Sequence, residues 1–158
     1  MSLESVRAYF AAHAPDIAPI DNGTSTATVI EAAQALGVAP AQIAKTLSLR
    51  IRDDVLLLVT RGDARLDNRK TKDRFGARPR MLDAEEVEAI TGHPVGGVCP
   101  FGLASDLPVY CDVSLRDFDF VWPAAGSRTA SVRLTPQRLF ELVGTDWVDI
   151  CSFAEAAT

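Results

Sequence analysis

Only two histidines, His13 and His93, occur in the 158 residues, and the three cysteines, Cys99, Cys111 and Cys151, form no CxxC pair. Two imidazoles and scattered thiols give neither the number nor the spacing of ligands a zinc site needs, so no metal is expected. An odd, widely spaced cysteine set is not a disulfide framework either; it fits a reducing compartment, and a cytoplasmic location is expected. No apolar run approaches the roughly 20 residues of a membrane helix, so no membrane partner is expected. The start, Met1-Ser2-Leu3-Glu4-Ser5, has no basic region followed by an apolar stretch and reads as no secretory signal. The serine elbow GxSxG, the phosphate loop GxxxxGK[ST] and the metalloprotease motif HExxH are all missing. An enzyme built on this chain must draw its electrophilic help from backbone amides and isolated charges.

What is present suits one globular domain spanning residues 1–158, since this length has no room for a second core of ordinary size. The net charge of −5 is unevenly spread. Eight of the sixteen basic residues lie between Arg61 and Arg80: Arg61, Arg65, Arg69, Lys70, Lys72, Arg74, Arg78 and Arg80. Only Asp63, Asp67 and Asp73 accompany them, which leaves +5 on this segment and −10 on the rest. A basic patch on an acidic body holds a few phosphates while disfavouring indiscriminate duplex binding; it also fits the solvated face of a charged helix.

The pattern alternates helices with strands. Leu3, Val6 and Phe10 recur at helical spacing before Pro15. Thr28-Val-Ile-Glu31 has capping-box spacing, with Val29, Ala32, Ala33 and Leu36 as an apolar face and Gly37 as a stop. Thr46 to Ile51 alternates strictly and predicts a half-buried strand, whereas Val55 to Val59 is continuously apolar, as in a strand covered on both faces. A helix is predicted from about Leu66 to Phe75, ending at Gly76, and another after Asp83-Ala-Glu-Glu86, ending at Gly92. Val109–Cys111, Phe118–Trp122, Thr129–Leu134 and Trp147–Ile150 read as strands. Thr135-Pro136 opens a last helix that ends at Gly144. Strands separated by single helices give an α/β domain with a mixed sheet.

Two features carry possible chemistry. In Gly96-Gly97-Val98-Cys99-Pro100-Phe101-Gly102, adjacent glycines allow close backbone approach and successive amides aimed at one oxygen, and Pro100 stiffens the loop. Lys45, one of only three lysines, sits at the mouth of an alternating strand and suits a phosphate or a polarised carbonyl. Each also fits ordinary structure, a turn and a strand-end lysine. His13 fits a helix-terminal cap. His93 lies six residues before Cys99, which leaves open a thiol nucleophile activated by histidine. Asp112 and Ser114, after the Val109–Cys111 strand, and Thr24 to Thr26, before the second helix, are candidate pocket residues; all also fit turns and caps. The same holds for Ala125-Gly126.

The order of these pieces resembles a known family. A Thr-x-x-Glu-Ala-Ala helix precedes Ile43-Ala-Lys45-Thr-Leu, and an apolar strand ends in Arg61-Gly62-Asp63. Leu66-Asp67 and Glu86-Val-Glu-Ala-Ile-Thr-Gly92 then lead into Gly96-Gly-Val-Cys-Pro-Phe-Gly102. This run, from about residue 20 to 150, is similar to the YbaK/ProX family of aminoacyl-tRNA editing domains, which also occurs inserted in bacterial prolyl-tRNA synthetases.

The resemblance implies a mixed, mostly antiparallel sheet curled into a partial barrel with flanking helices. It implies hydrolysis, in trans, of mischarged tRNA carrying Ala, Cys, Ser or Thr. Lys45 would help hold the 3′-terminal nucleotide and its ester. Gly96, Gly97 and Val98 would present amides to the aminoacyl carbonyl, with Cys99 and Pro100 in the same loop. Thr26, Asp112 and Ser114 are expected to line the substrate pocket, and Arg61, Arg65, Arg69, Lys70 and Lys72 to bind tRNA. No cofactor is implied, and a synthetase is a possible further partner. An aminoacyl ester is already activated, so positioning plus an oxyanion site suffices without a strong protein base. The alternative is a non-catalytic module that binds tRNA or a synthetase through the Arg61–Arg80 patch.

Overall fold

In the computed structural model, which describes residues 2–153, the chain begins with α1 (Ser2–His13), β1 (Ile20–Asp21) and α2 (Val29–Leu36). There follow β2 (Ile43–Ile51), β3 (Asp54–Arg61), β4 (Arg65–Leu66), α3 (Asn68–Phe75), β5 (Arg80–Met81) and α4 (Ala84–Thr91). After the glycine loop come β6 (Val109–Asp112), β7 (Trp122–Pro123), β8 (Ala130–Ser131), α5 (Pro136–Val143), β9 (Asp146–Val148) and β10 (Cys151–Ser152). Among the described residues no helix is long and apolar enough to cross a membrane.

The helices begin and end where their capping chemistry dictates. Thr28, Asp67, Asp83 and Thr135 each accept a hydrogen bond from the amide three residues on, each cap contributing about 1 kcal/mol. At Asp83 the box is complete, because Glu86 reaches back to the Asp83 amide. Gly37, Gly76 and Gly92 take the left-handed conformation that ends α2, α3 and α4.

The β2–β3 hairpin is the centre of a six-stranded sheet, in register from Ala44 opposite Arg61 to Ile51 opposite Asp54. Strand order is β5-β2-β3-β6-β9, with β7 on the same edge of β2 as β5 but further toward its start. The sheet is mixed and, by paired residues, mostly antiparallel, as expected, with parallel pairings beside the antiparallel ones. β2–β3 and β2–β5 are antiparallel, whereas β2–β7, β3–β6 and β6–β9 are parallel. The cause is connectivity: between β3 and β6 the chain passes through α3, α4 and the glycine loop, a crossover long enough to return it in the same direction. Two short antiparallel ribbons, β1–β8 and β4–β10, complete the pairing.

The expected strand over Phe118–Trp122 shrinks to Trp122–Pro123. Asp112 accepts from the Ser114 amide and turns the chain directly into a 3-10 turn at Val113–Asp117, so pairing resumes only near Val121, which bridges to Leu134.

Strand β3 is covered on both faces, which is why its sequence is continuously apolar. Leu57 and Val59 join Val6, Phe10, Phe101, Leu115 and Leu139 on one side. Leu56 and Leu58 join Leu49, Ile150 and the half-buried Phe75 of α3 on the other. Burial of each such side chain contributes about 1.5–3 kcal/mol. Phe101, at the end of the glycine loop, packs on Phe10 of α1 with ring centroids 4.7 Å apart. Phe101→Ala is expected to cost about 3–5 kcal/mol, measured by urea denaturation, and to loosen the loop it anchors.

Candidate active site

A cleft of about 240 Å³ opens where three segments, Thr26–Val29, Val95–Val98 and the edge of β2, converge. Its walls are chiefly apolar, from Val29, Ala32, Leu82, Val87 and Trp122, with hydroxyl-bearing Thr28, Ser48 and Ser131 among them. The β2 edge is open here because pairing with β7 ends at Ala44 and pairing with β5 begins at Leu49. The Ser48 carbonyl accepts from the Leu82 amide on the side away from β3. By alternation the main-chain groups of Thr46 also point away from β3, toward the cleft. The Thr46 hydroxyl is buried without a hydrogen-bond partner among the described residues.

The glycine loop is held by backbone crossings that only glycine permits. Gly97 donates to the Pro94 carbonyl at 2.9 Å, and its own carbonyl accepts from Gly126 at 3.0 Å. A Cβ on Gly97 would lie 2.7 Å from the Ser127 nitrogen, a backbone atom that cannot swing aside. Gly96 is left-handed (φ 91°) and packs against Ala27. The turn at residues 126–128 also fixes Thr26, whose amide donates to the Arg128 carbonyl at 2.7 Å, while Arg128 Nε donates to the Val95 carbonyl. With the Gly97 amide already engaged, the amides of Gly96 and Val98 remain, neither with an acceptor among the described residues. Both residues line the cleft, and so does Thr26.

Lys45 lines the cleft at the edge of β2, with its ammonium hydrogen-bonded within the chain. Opposite Thr60 in the hairpin, it lies on the sheet face away from Thr46 and Ser48 and donates to the Ala64 carbonyl. Burial holds its pKa below the usual lysine range, against the opposing pull of nearby Cys151 and the Asp63 carboxylate.

Four expected pocket residues do not reach this cleft. Cys99 faces the core: it is fully buried and its thiol is pushed up to about 12 by desolvation. Its neighbour His93 is equally buried, and Nε2 lies 2.7 Å from the Phe101 carbonyl. A carbonyl only accepts, so Nε2 carries the proton and Nδ1 accepts from the Ser2 hydroxyl. The Cys99 sulfur is 3.5 Å from Nε2, the nitrogen that has no lone pair to take a proton. The arrangement offers no activated thiol. Pro100 is buried and faces a separate groove beside Tyr9 and Leu103. Asp112 is consumed structurally, accepting from the amides of Ser114 and Ile150, and Ser114 Oγ lies 3.2 Å from Thr60 Oγ1 on the far face of the sheet.

The basic segment is partly neutralised. Arg61 forms a two-point pair with Asp63, a second pair with Asp117 at 2.7 Å, and lies 4.4 Å over the Phe153 ring. Lys70 pairs with Asp149 and Arg74 with Asp146. Arg65, Arg69 and Lys72 are exposed, with no ion-pair partner among the described residues. Among those residues no group of three His, Cys, Asp or Glu side chains is placed to hold a metal.

Sequence reasoning missed Ser48, Trp122 and Ser131 as cleft residues. The polar positions of the alternating strand were the available signal, since they read equally as a solvent face.

The family model for aminoacyl-tRNA editing domains matches residues 24–142, and the chain belongs to that family. It is 48% identical over 153 residues to the uncharacterized protein YwhH of Bacillus subtilis, covering 96% of this chain and 98% of that one. It is 27% identical to EbsC of Enterococcus faecalis, provisionally named a Cys-tRNA(Pro)/Cys-tRNA(Cys) deacylase, over 75% of this chain and 73% of EbsC. A solved structure provisionally described as a trans-editing enzyme for prolyl tRNA synthetase superposes with a TM-score of 0.88 at 33% identity, covering 96% of this chain and 97% of that one. The proline–tRNA ligase of Shouchella clausii is 34% identical over 73% of this chain, which spans 20% of that enzyme.

Two outcomes follow from the buried imidazole and thiol. Burial lowers the His93 pKa below 6.5, so as pH falls the unfolded chain takes up this proton first. The stability due to neutral His93 is complete above about pH 6.5 and is lost below it, by at most about 1.4 kcal/mol per pH unit. Thermal unfolding should therefore show a Tm decline between pH 6.5 and 5 that is shallower in His93→Gln. Iodoacetamide at pH 8 should leave Cys99 unmodified in the native protein, as read by peptide mass spectrometry, and modify it after denaturation.

Proposed function

We propose that this protein hydrolyses the ester of mischarged tRNA bearing a small amino acid of the Ala, Ser, Thr or Cys type, acting in trans. The observation that carries the reading is the pair of unpartnered amides, Gly96 and Val98, on the wall of a mostly apolar cleft. Near-complete mutual coverage with YwhH and with the trans-editing structure supports a unit of this size acting apart from a synthetase. The small volume of the cleft favours a short side chain.

Water adds to the ester carbonyl carbon, and the charge that develops on the carbonyl oxygen is met by the Gly96 and Val98 amides. The bond from the acyl carbon to the ribose oxygen then breaks, and that oxygen takes a proton, leaving a free amino acid and a tRNA 3′ hydroxyl. The neighbouring ribose hydroxyl assists the attacking water. Lys45 positions the terminal nucleotide as a point charge at the end of β2. Such a second pocket corrects a synthetase whose own site gains only about 1–3 kcal/mol from one methylene.

A panel of mischarged tRNAs tests this directly. Release of Ser, Thr, Ala or Cys well above buffer is expected, with kcat/KM about 10²-fold lower in Lys45→Ala. Hydrolysis of none of them would overturn it. The exposed Arg65, Arg69 and Lys72 favour a second reading, a tRNA-binding module without turnover, which requires salt-sensitive binding unaffected by Lys45→Ala.

A further inference from the structure

Trp122 lines the cleft and also a second cavity, a groove of about 550 Å³ whose walls include Phe120, Arg133, Arg138 and Asp16. The two cavities thus adjoin at one indole. Arg133 is exposed, lies 4.5 Å from the Phe120 ring centroid, and has no ion-pair partner among the described residues. Phe120 is 43% exposed, unusual for a phenylalanine with no packing reason to protrude. Arg138 is bound to Asp16 at 2.9 Å, so Arg133 is the groove's uncompensated cation.

An exposed aromatic ring with a guanidinium laid over it gives a base a face to stack on and a phosphate a donor to meet. The basic face of α3 offers no comparable platform beside the cleft. Its Phe75, together with Leu66 of β4, packs on the Leu49–Leu58 side of the sheet, opposite Thr46 and Ser48.

We propose that the single-stranded 3′ end of the tRNA leaves the cleft over Trp122 and lies in this groove, a base stacked at Phe120 and a phosphate on Arg133. The proposal rests on the deacylase reading for its substrate. It places the sequence-independent part of recognition beside β7 and not on α3. The adjoining cleft, the exposed ring and the unpaired cation favour a polynucleotide over a protein as occupant.

The test compares wild type, Phe120→Ala and Arg133→Ala, whose exposed side chains leave the core intact, with circular dichroism as the check on folding. Binding is measured by anisotropy on a labelled RNA hairpin with a single-stranded 3′-CCA end and on the same hairpin with a blunt end. Wild type should prefer the single-stranded end, and each variant should lose about tenfold of that binding and little on the blunt hairpin. The salt slope should fall by about one in Arg133→Ala. With mischarged tRNA, KM should rise about tenfold while kcat holds, and turnover of aminoacyl-adenosine, which ends before the groove, should not change.

Unchanged hairpin binding in both variants overturns the proposal. So does an equal loss on aminoacyl-adenosine, which would mark a merely structural role, or loss of synthetase binding with tRNA kinetics intact. If wild type hydrolyses nothing, the deacylase reading fails, and the hairpin titration still decides the groove.

Discussion

The molecule depends on a backbone-to-backbone crossing that leaves no room for a side chain. Gly97 lies against the turn at residues 126–127 so closely that a methyl group would meet main-chain atoms, and the Gly126 amide closes the contact on the Gly97 carbonyl. Main-chain atoms in such a crossing cannot relax by changing rotamer, so the loop's position is fixed by covalent geometry and two hydrogen bonds. Gly96 and Val98 on the cleft wall inherit that fixity. The turn that receives Gly97 also holds Thr26 and Val95, so three segments distant in sequence are set by one joint. Preorganised amides need such rigidity, because donors that must first move into place lose much of their advantage in stabilising a developing charge.

The sheet explains why neighbouring residues divide between two tasks. Along β2 successive side chains alternate between faces. Thr46 and Ser48 belong to the cleft side, and Lys45 to the side where Ala64 and Thr60 lie. In the loop the same separation falls between Val98, which lines the cleft, and Cys99, which enters the core. A single residue step decides which side of the sheet or loop a side chain serves.

That division also marks what was readable in the sequence. Caps and stops were legible, because Thr28, Asp83, Thr135 and the helix-ending glycines act on their immediate neighbours. The alternation at Thr46–Ile51 and the apolar run of β3 were legible because burial imposes a period on the chain. The order of motifs was enough for the family. Facing was not legible: Asp112 and Ser114 follow a strand that sequence places correctly, yet Asp112 is held by the amides of Ser114 and Ile150, a partner 38 residues away. The two-residue strands β1, β4, β5 and β10 escaped for a related reason, since they exist through partners elsewhere in the chain and carry no period of their own. Charge was misleading in the same way, because Arg61 and Lys70 meet carboxylates that lie far off in sequence.

The start of α1 touches this joint from below. The Ser2 hydroxyl binds the His93 ring that ties the loop to the Phe101 carbonyl, and the Ser2 carbonyl lies where any side chain on Gly126 would have to go. The family model matches from residue 24, whereas the likeness to YwhH covers 96% of the chain. The residues that match the family model and those that keep the loop stiff therefore have different boundaries. α1 works as a keystone that braces the loop from beyond the stretch the family model matches.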